Sequence, residues 1–199
     1  MKLNSTERFL FLRHGETDYN VQGIRCGGEI DISLNQTGVG QAEKVAELLG
    51  QGGFPLFWIV ASELLRVQQT AHIVADRLGL LVETNAELNE RRLGEWNGRS
   101  ISETESALRS GETPPEGESA TEFRTRILSW LDTWQPRLIK PGLIVASKGV
   151  GRVLSEALSG QCVSVGNCEL LLFEGVRAAA CSISVFPGGP SVDGLVPKY

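Results

Sequence analysis

Short apolar runs alternate with amphipathic segments along this chain, and this alternation is the feature that most constrains its fold. Arg8–Arg13 has the run of apolar residues typical of a buried strand, and the apolar positions of Thr37–Leu49 recur with helical spacing after Thr37 as the predicted cap. Further predicted strands are Phe57–Ala61, Leu143–Ala146, Leu170–Phe173 and Cys181–Phe186, and further predicted helices are Glu63–Leu78 (capped by Ser62 and ended by Gly79), Ala120–Leu131 and Val150–Leu158. The pattern predicts an α/β fold, a three-layer α/β/α sandwich with a mainly parallel central sheet.

The segments between these elements indicate one domain. Gly111–Gly117 contains two consecutive prolines and is predicted to be a loop rather than a domain linker. Gly188-Gly189-Pro190 is predicted to begin a polar tail. A chain of 199 residues without internal repeats fits a single domain over residues 1–199.

Composition excludes several classes of function. A net charge of −5 and a pI near 5.2 argue against a nucleic-acid binder, and no stretch has the length and hydropathy of a membrane span. The four cysteines lack metal-ligand spacing, so reduced thiols in a cytoplasmic protein are expected. Only two histidines occur, which excludes a His-rich metal site. We expect no metal, no cofactor, no nucleic-acid partner and no membrane partner, and the oligomeric state is open.

Three polar clusters follow predicted strands, where the carboxyl ends of parallel strands usually form a binding site. They are Arg13-His14-Gly15-Glu16, Ser62–Arg66 and Ser147-Lys148-Gly149. A neutral imidazole in a tight glycine turn can attack phosphorus, and guanidinium groups match phosphate oxygens. Arg13, Arg25 and Arg66 are therefore candidate phosphate ligands, although each taken singly is also compatible with a solvated surface charge.

The motifs around these clusters resemble those of the histidine phosphatase superfamily, also called the phosphoglycerate mutase-like family. Five blocks occur in the family's order between Phe9 and about Leu158. They are Leu12–Thr17 with Asn20; Arg25–Gly28 with Asp31, Leu34 and Gly38; Ser62–Arg66 with Gln69, Thr70 and Ala71; Leu88–Arg91 with Gly94, Trp96 and Gly98; and Pro115–Ser119.

The resemblance implies a role for each matching residue. His14 would accept the phosphoryl group as a phosphohistidine, and Arg13 and Arg66 would hold the phosphoryl oxygens. Asn20 would add a hydrogen bond, and Glu90 would protonate the leaving alcohol and then activate water.

The residues of the family's substrate loop have less defined roles. Arg25 is a candidate substrate ligand, and Gly27 and Gly28 either offer backbone N–H groups to an anion or simply form a turn. Of Arg91 and Arg92, one is expected to face the substrate and the other solvent. Cys26 is expected to be a small apolar residue near the pocket.

The sequence departs from the family pattern at Lys148. The family has its second catalytic histidine in a Ser-His-Gly setting, and here the residues are Ser147-Lys148-Gly149. His72 does not replace it, because His72 falls inside a predicted helix and is expected on its surface. Lys148 would keep the positive charge, but as a flexible point charge with different proton chemistry.

Three functional hypotheses follow from the resemblance and this departure. The favoured one is a phosphomonoesterase acting on a small phosphorylated metabolite, with Lys148 stabilising the phosphoryl group. The second is a catalytically impaired relative that binds a phosphate ester. The third is a phosphoglycerate mutase. The resemblance implies a longer insertion in mutases of this family, so the short segment from Gly98 to Pro114 disfavours this hypothesis, because it would leave the site open to water.

Overall fold

A computed structural model describes residues 7–176 and 181–186 of the chain. The predicted tail at Gly188-Gly189-Pro190 lies outside the described residues, and the assignment of residues 1–199 to one domain stays a prediction. The strands are β1 (Arg8–Arg13), β2 (Ile59–Ala61), β3 (Val82–Thr84), β4 (Gly142–Ala146), β5 (Leu170–Glu174) and β6 (Ser182–Val185). The helices are α1 (Asp18–Gln22), α2 (Gln36–Gly50), α3 (Leu65–Leu78), α4 (Ile101–Arg109), α5 (Ala120–Trp134) and α6 (Lys148–Ser159).

The strands form one mixed sheet in the order β3-β2-β4-β1-β5-β6. The first four strands of that order are parallel, whereas β5 pairs antiparallel with β1 and β6 pairs antiparallel with β5. The sheet with flanking helices confirms the predicted α/β sandwich. Because β5 runs the other way, its amino end lies at the same edge as the carboxyl end of β1.

Alternating side chains of β1 divide the core into two layers. Phe9 and Phe11 pack with residues of α5 and α6 on one face of the sheet. Leu10 and Leu12 pack with residues of α2 and α3 on the other face. All four side chains are fully buried, so a strand with apolar residues on both faces fixes the centre of the three layers.

Several helix ends differ from the predictions, and α5 runs to Trp134 rather than ending at Leu131. The cap of α2 is Asn35, whose side chain accepts from the N–H of Gly38, so the prediction of Thr37 was wrong. The predicted cap Ser62 was also wrong, because α3 begins later, after Leu64, without a side-chain cap. α6 begins at Lys148 rather than Val150, which places Lys148 in its first turn. The stop at Gly79 is confirmed by its left-handed φ of 67°.

Three short elements were not predicted, and each lacks the apolar pattern that a prediction uses. α1 has no buried residue and α4 buries only Thr104. β3 is a three-residue edge strand. The predicted loop over Gly111–Gly117 is confirmed as irregular backbone. Within the described ranges, no helix combines the length and apolar character that crossing a membrane requires.

Candidate active site

His14 lies at the carboxyl end of β1, where its ring is almost completely enclosed at 4% exposure. Its Nδ1 donates to the carbonyl of Gly15 at 2.7 Å, because a carbonyl oxygen can only accept. In the neutral ring the proton is therefore on Nδ1, and Nε2 carries the free lone pair. Burial, followed by the charges of Arg13 and Arg66, lowers the pKa of His14 well below its usual value. The geometry and charge together keep this imidazole neutral and nucleophilic.

The arginines beside His14 are held by backbone carbonyls rather than by carboxylates. Arg66 is 1% exposed and donates to the carbonyls of Ile30 at 3.0 Å and Gly27 at 3.3 Å. Arg13 donates through Nη1 to the carbonyl of Val165 at 3.0 Å, and burial lowers its pKa to about 10. Since neither guanidinium forms an ion pair within the described residues, both keep positive charge available for an anion.

A threonine hydroxyl links the histidine turn to α3. The N–H of Gly15 donates to Oγ1 of Thr70 at 3.0 Å, and this hydroxyl donates to the carbonyl of Arg66 at 2.8 Å. A Cβ on Gly15 would overlap the backbone of Gly38, so the turn requires glycine. The turn and α3 therefore hold His14 and Arg66 in a fixed relation.

Asn20 is positioned by the short helix α1. Thr17 caps this helix, and a reciprocal capping box joins Thr17 to Asn20. Oδ1 of Asn20 accepts from the N–H of Thr17 at 3.1 Å and from Nδ2 of Asn167 at 3.0 Å. Its Nδ2 has no hydrogen-bond partner within the described residues, which leaves a donor for a ligand.

Glu90 reaches across to the first turn of α6. Its Oε2 accepts from the N–H of Gly149 at 2.9 Å, and its Oε1 accepts from the N–H of Arg91 at 2.8 Å. A Cβ on Gly149 would overlap the carboxylate of Glu90. The chain thus brings the predicted acid segment against the helix that carries Lys148.

Lys148 is exposed at the first position of α6, and its amine has no hydrogen bond or ion pair within the described residues. Loss of surrounding water, followed by the charges of Arg13 and Arg152, lowers the pKa of this amine. A cation at a helix N-terminus also opposes the helix dipole. An anionic ligand would relieve both effects, since it would supply the missing negative charge.

The side chain of Arg25 and the backbone N–H groups of Gly27 and Gly28 all form hydrogen bonds with other residues of the protein. Arg25 donates to Oγ1 of Thr104 at 2.9 Å and to Glu105 at 2.5 Å, which ties its guanidinium to α4. The N–H of Gly27 donates to Asn97 at 2.7 Å, and that of Gly28 donates to the carbonyl of Arg91 at 3.1 Å. A Cβ on either glycine would overlap the backbone of residues 90 or 91. Of the two roles predicted for the glycines, the close turn agrees with these contacts, because neither N–H is free for an anion.

The acid segment is held by Glu118 and Arg126, to which sequence reasoning gave no role, and by Arg91, for which it left a substrate-facing role open. Glu118 is 4% exposed and forms an ion pair with Arg126 at 2.7 Å. Arg126 also donates to the carbonyls of Glu87 and Asn89. Arg91 is buried and donates to the carbonyl of Glu118 at 2.7 Å, whereas Arg92 is exposed. Arg91 thus clamps the neighbouring loop.

The loop before β5 was missed entirely by sequence reasoning. Asn167 donates to the carbonyl of His14 at 3.1 Å as well as to Asn20, and Val165 accepts from Arg13. The N–H of Cys168 donates to the carbonyls of Arg13 at 3.1 Å and His14 at 3.3 Å. The order of elements gave no signal for this loop, because only the antiparallel pairing of β5 with β1 places it at this edge.

The remaining candidates lie as follows. His72 is exposed on α3, as predicted. Cys26 is half-buried with its thiol near the carbonyl of Ile30, and burial raises its pKa, so the thiol stays neutral. In residues 7–176 and 181–186, no cluster of histidine, cysteine or acidic side chains is suited to hold a metal ion.

Phosphoryl transfer to a histidine is the chemistry that suits a neutral buried imidazole between two unpaired guanidiniums. The carboxylate of Glu90, held against the first turn of α6, is a group that can exchange a proton with a leaving oxygen. Fold and site together define an α/β protein of the histidine-dependent phosphoryl-transfer class.

Comparison with known proteins agrees with that class. Residues 9–187 match the histidine phosphatase superfamily, branch 1. The chain is 35% identical over 169 residues to glucosyl-3-phosphoglycerate phosphatase of Mycobacterium tuberculosis, covering 76% of this chain and 74% of the relative. It is 34% identical over 164 residues to a probable phosphoglycerate mutase of Yersinia pestis, covering 74% of this chain and 73% of the relative.

A solved structure extends the likeness to the fold. The α-ribazole phosphatase of Shigella flexneri superposes with a TM-score of 0.80 at 26% identity, covering 94% of this chain and 100% of that one. The chain belongs to the histidine phosphatase superfamily, and it is an enzyme of the phosphatase or phosphoglycerate mutase-like type.

Proposed function

We propose that the protein is a phosphomonoesterase that transfers the phosphoryl group of a small phosphorylated metabolite to Nε2 of His14 and then to water. The observation that carries the proposal is the bond from Nδ1 of His14 to the carbonyl of Gly15 at 2.7 Å in a buried, cationic setting. That bond fixes the tautomer, and the low pKa keeps Nε2 unprotonated at neutral pH.

The first half-reaction forms the bond between Nε2 and phosphorus and breaks the bond between phosphorus and the ester oxygen. Glu90, in its protonated form, gives its proton to the leaving alcohol. Arg13, Arg66 and Lys148 neutralise the charge on the equatorial oxygens, and Nδ2 of Asn20 donates to one of them.

The second half-reaction returns the site to its starting state. The carboxylate of Glu90 takes a proton from water as the water oxygen attacks phosphorus. The bond between Nε2 and phosphorus breaks, and inorganic phosphate leaves. Glu90 is again protonated and His14 again neutral, so the two steps balance.

Trapping of the phosphoenzyme tests the proposal. The protein is mixed briefly with p-nitrophenyl phosphate and denatured in alkali, where phosphohistidine survives, and its intact mass is measured. Wild type and His72→Gln should each gain one phosphoryl group, whereas His14→Gln should gain none. His72 is the matched control because it is the chain's second histidine and lies exposed on α3. Labelling of His14→Gln, or no labelling of wild type, would overturn the proposal.

A phosphate-ester panel then separates the hypotheses about the reaction. The panel includes glucosyl-3-phosphoglycerate and phosphoglycerate, because relatives named for these compounds are 35% identical to this chain over 169 residues and 34% identical over 164 residues. Release of inorganic phosphate supports the phosphatase. Movement of the phosphoryl group between carbons without phosphate release supports a mutase. Binding without labelling supports a catalytically impaired relative.

A further inference from the structure

We infer that Asn167 is a positioning residue that fixes the direction in which Asn20 presents its amide to the transferring phosphoryl group. Asn167 lies in the loop between α6 and β5, far from Asn20 in sequence. This inference rests on the proposed function, since it concerns the same phosphoryl site.

The first step concerns the orientation of the Asn20 amide. Both of its oxygen's neighbours are donors: the N–H of Thr17 at 3.1 Å and Nδ2 of Asn167 at 3.0 Å. A carboxamide rotated by half a turn would point its own NH₂ group at both of these donors and lose both bonds. The two donors together therefore hold Oδ1 on their side and leave Nδ2, which has no hydrogen-bond partner among the described residues, as the donor available to a ligand.

The second step concerns what each donor contributes. The bond from Thr17 belongs to the capping box of α1, a helix of five residues that by its length has little stability of its own. Asn167 supplies the other bond from outside α1, on a loop that is itself fastened to β1. Without it, α1 would be joined to the site only through its own first turn.

The third step asks whether Asn167 acts on the site through Asn20 or through His14. Asn167 also donates to the carbonyl of His14 at 3.1 Å, but that carbonyl accepts a second bond from the N–H of Cys168 at 3.3 Å. Cys168 has a left-handed φ of 52°, a conformation that a residue with a side chain keeps only when its surroundings require it. His14 thus retains a contact when the Asn167 side chain is removed. Asn20 then loses the only side-chain partner that it has, among residues 7–176 and 181–186, beyond α1 and its cap.

A double-mutant cycle tests this coupling. The variants are Asn20→Ala, Asn167→Ala and the double variant, each measured as kcat/KM for p-nitrophenyl phosphate and as Kd for orthovanadate, which mimics the transferring group. Asn20→Ala should lower kcat/KM about 100-fold, and Asn167→Ala about 10-fold or more. The double variant should be no worse than Asn20→Ala alone, because Asn167 has nothing left to position.

An aspartate provides an isosteric test of the direction of the bond. Asn167→Asp places a carboxylate oxygen where Nδ2 stood, facing the oxygens of Asn20 and His14. It should lower kcat/KM more than Asn167→Ala, although its size is unchanged. Asn85→Ala is the matched control, since Asn85 is also half-buried and caps a backbone turn but lies after the edge strand β3. It should leave kcat/KM and the vanadate Kd as in wild type.

The outcomes distinguish this inference from the proposed function. Multiplicative effects of the two alanine variants, with wild type active, would overturn the positioning role alone. A thermal shift in Asn167→Ala with unchanged kcat/KM would likewise show a purely structural role. A wild-type protein that neither turns over the ester nor binds vanadate would overturn the proposed function and the inference with it.

Discussion

The carboxylate of Glu90 accepts a hydrogen bond from the backbone N–H of Gly149 at 2.9 Å, so the proposed acid is joined directly to the first turn of α6. That turn also carries Lys148, the residue at the family's second histidine position. This hydrogen bond therefore links the acid segment to the helix that carries Lys148. It also makes Gly149 a position where a single methyl group reports on the role of Glu90.

Gly149→Ala should impair protonation of the leaving group, because the added Cβ would overlap the Glu90 carboxylate and displace it. General acid catalysis contributes about 10²- to 10⁴-fold, so kcat/KM for an alkyl phosphate, which reports the first half-reaction, should fall by about 10²-fold or more. The kcat/KM for p-nitrophenyl phosphate should fall much less, since its leaving group needs little protonation. Steady-state kinetics with the two esters measures the difference.

Gly40→Ala is the control for this substitution. Gly40 is also helical, and a Cβ there would meet no atom within 4 Å. It should leave both rates unchanged. An equal loss with both esters in Gly149→Ala would contradict the assignment of Glu90 as acid.

Replacement of His14 should change how stability depends on pH. The pKa of His14 is well below its usual value in the fold, chiefly because of burial, whereas in the unfolded chain it returns to about 6.5. Between those two values unfolding takes up a proton, so stability falls as pH drops below about 6.5. The loss is at most about 1.4 kcal/mol per pH unit.

Urea unfolding of wild type and His14→Gln across pH 5 to 7.5 measures this effect. The free energy of unfolding of wild type, relative to the variant, should decrease steadily below pH 6.5. Above that pH the difference should be constant, because His14 is then neutral in both states. Parallel curves over the whole range would mean that His14 takes up its proton over the same pH range in the fold as in the unfolded chain.

The fold was predictable because the apolar runs of β1 and β4 and the amphipathic faces of α2, α3 and α5 are local signals. His14 and Arg66 were predictable for the same reason, since each follows a strand whose carboxyl end defines the site. The electrostatic environment of His14 and Arg66 was not predictable, because the burial of both side chains depends on how distant segments pack.

Asn167 and Arg25 show where sequence reasoning stopped. Leu170–Phe173 was predicted as a strand, but its direction depends on pairing with β1, and only the antiparallel direction brings Asn167 to the site. Arg25 was predicted as a substrate ligand from its place in the substrate loop. Its bond to Glu105 could not be predicted, because Glu105 is 80 positions away on α4, a helix that buries only Thr104. In both cases the contact that determines the residue's environment is long-range, and it produces no periodic pattern in the sequence.

Lys148→Met should show whether the amine acts in its charged form. A lost transition-state contact commonly costs about 10²- to 10³-fold, and kcat/KM at pH 7 should fall by that amount. In wild type, kcat/KM should also fall as pH rises through the pKa of Lys148, which is lowered by partial desolvation and neighbouring arginines. That alkaline limb should be absent from the pH profile of Lys148→Met.

Lys148→His tests whether the family's histidine works better than lysine at this position. If the amine is fitted to this site, histidine should lower kcat/KM despite the likeness to the family pattern. Activity above that of wild type would show that lysine is merely a weaker substitute there. A Lys148→Met variant as active as wild type would remove Lys148 from the mechanism.

Arg25→Ala separates a role in holding α4 from a role in binding substrate. The guanidinium is 14% exposed and bonds to Thr104 and Glu105, so its loss leaves α4 without its strongest tie to the substrate loop. Hydrogen bonds to charged groups contribute about 1.5–3 kcal/mol, and the free energy of unfolding should fall by about that amount. kcat/KM should fall less than in Lys148→Met.

Arg99→Ala is the control for Arg25→Ala, because Arg99 also pairs with a glutamate of α4, Glu103, but both side chains are more than half exposed. An exposed pair contributes about 0–1 kcal/mol, so this variant should unfold almost as wild type does. Chemical denaturation and steady-state kinetics on the same preparations decide between the roles. A large rise in KM for Arg25→Ala with unchanged stability would mean that Arg25 releases Glu105 and binds the substrate, as the sequence alone predicted.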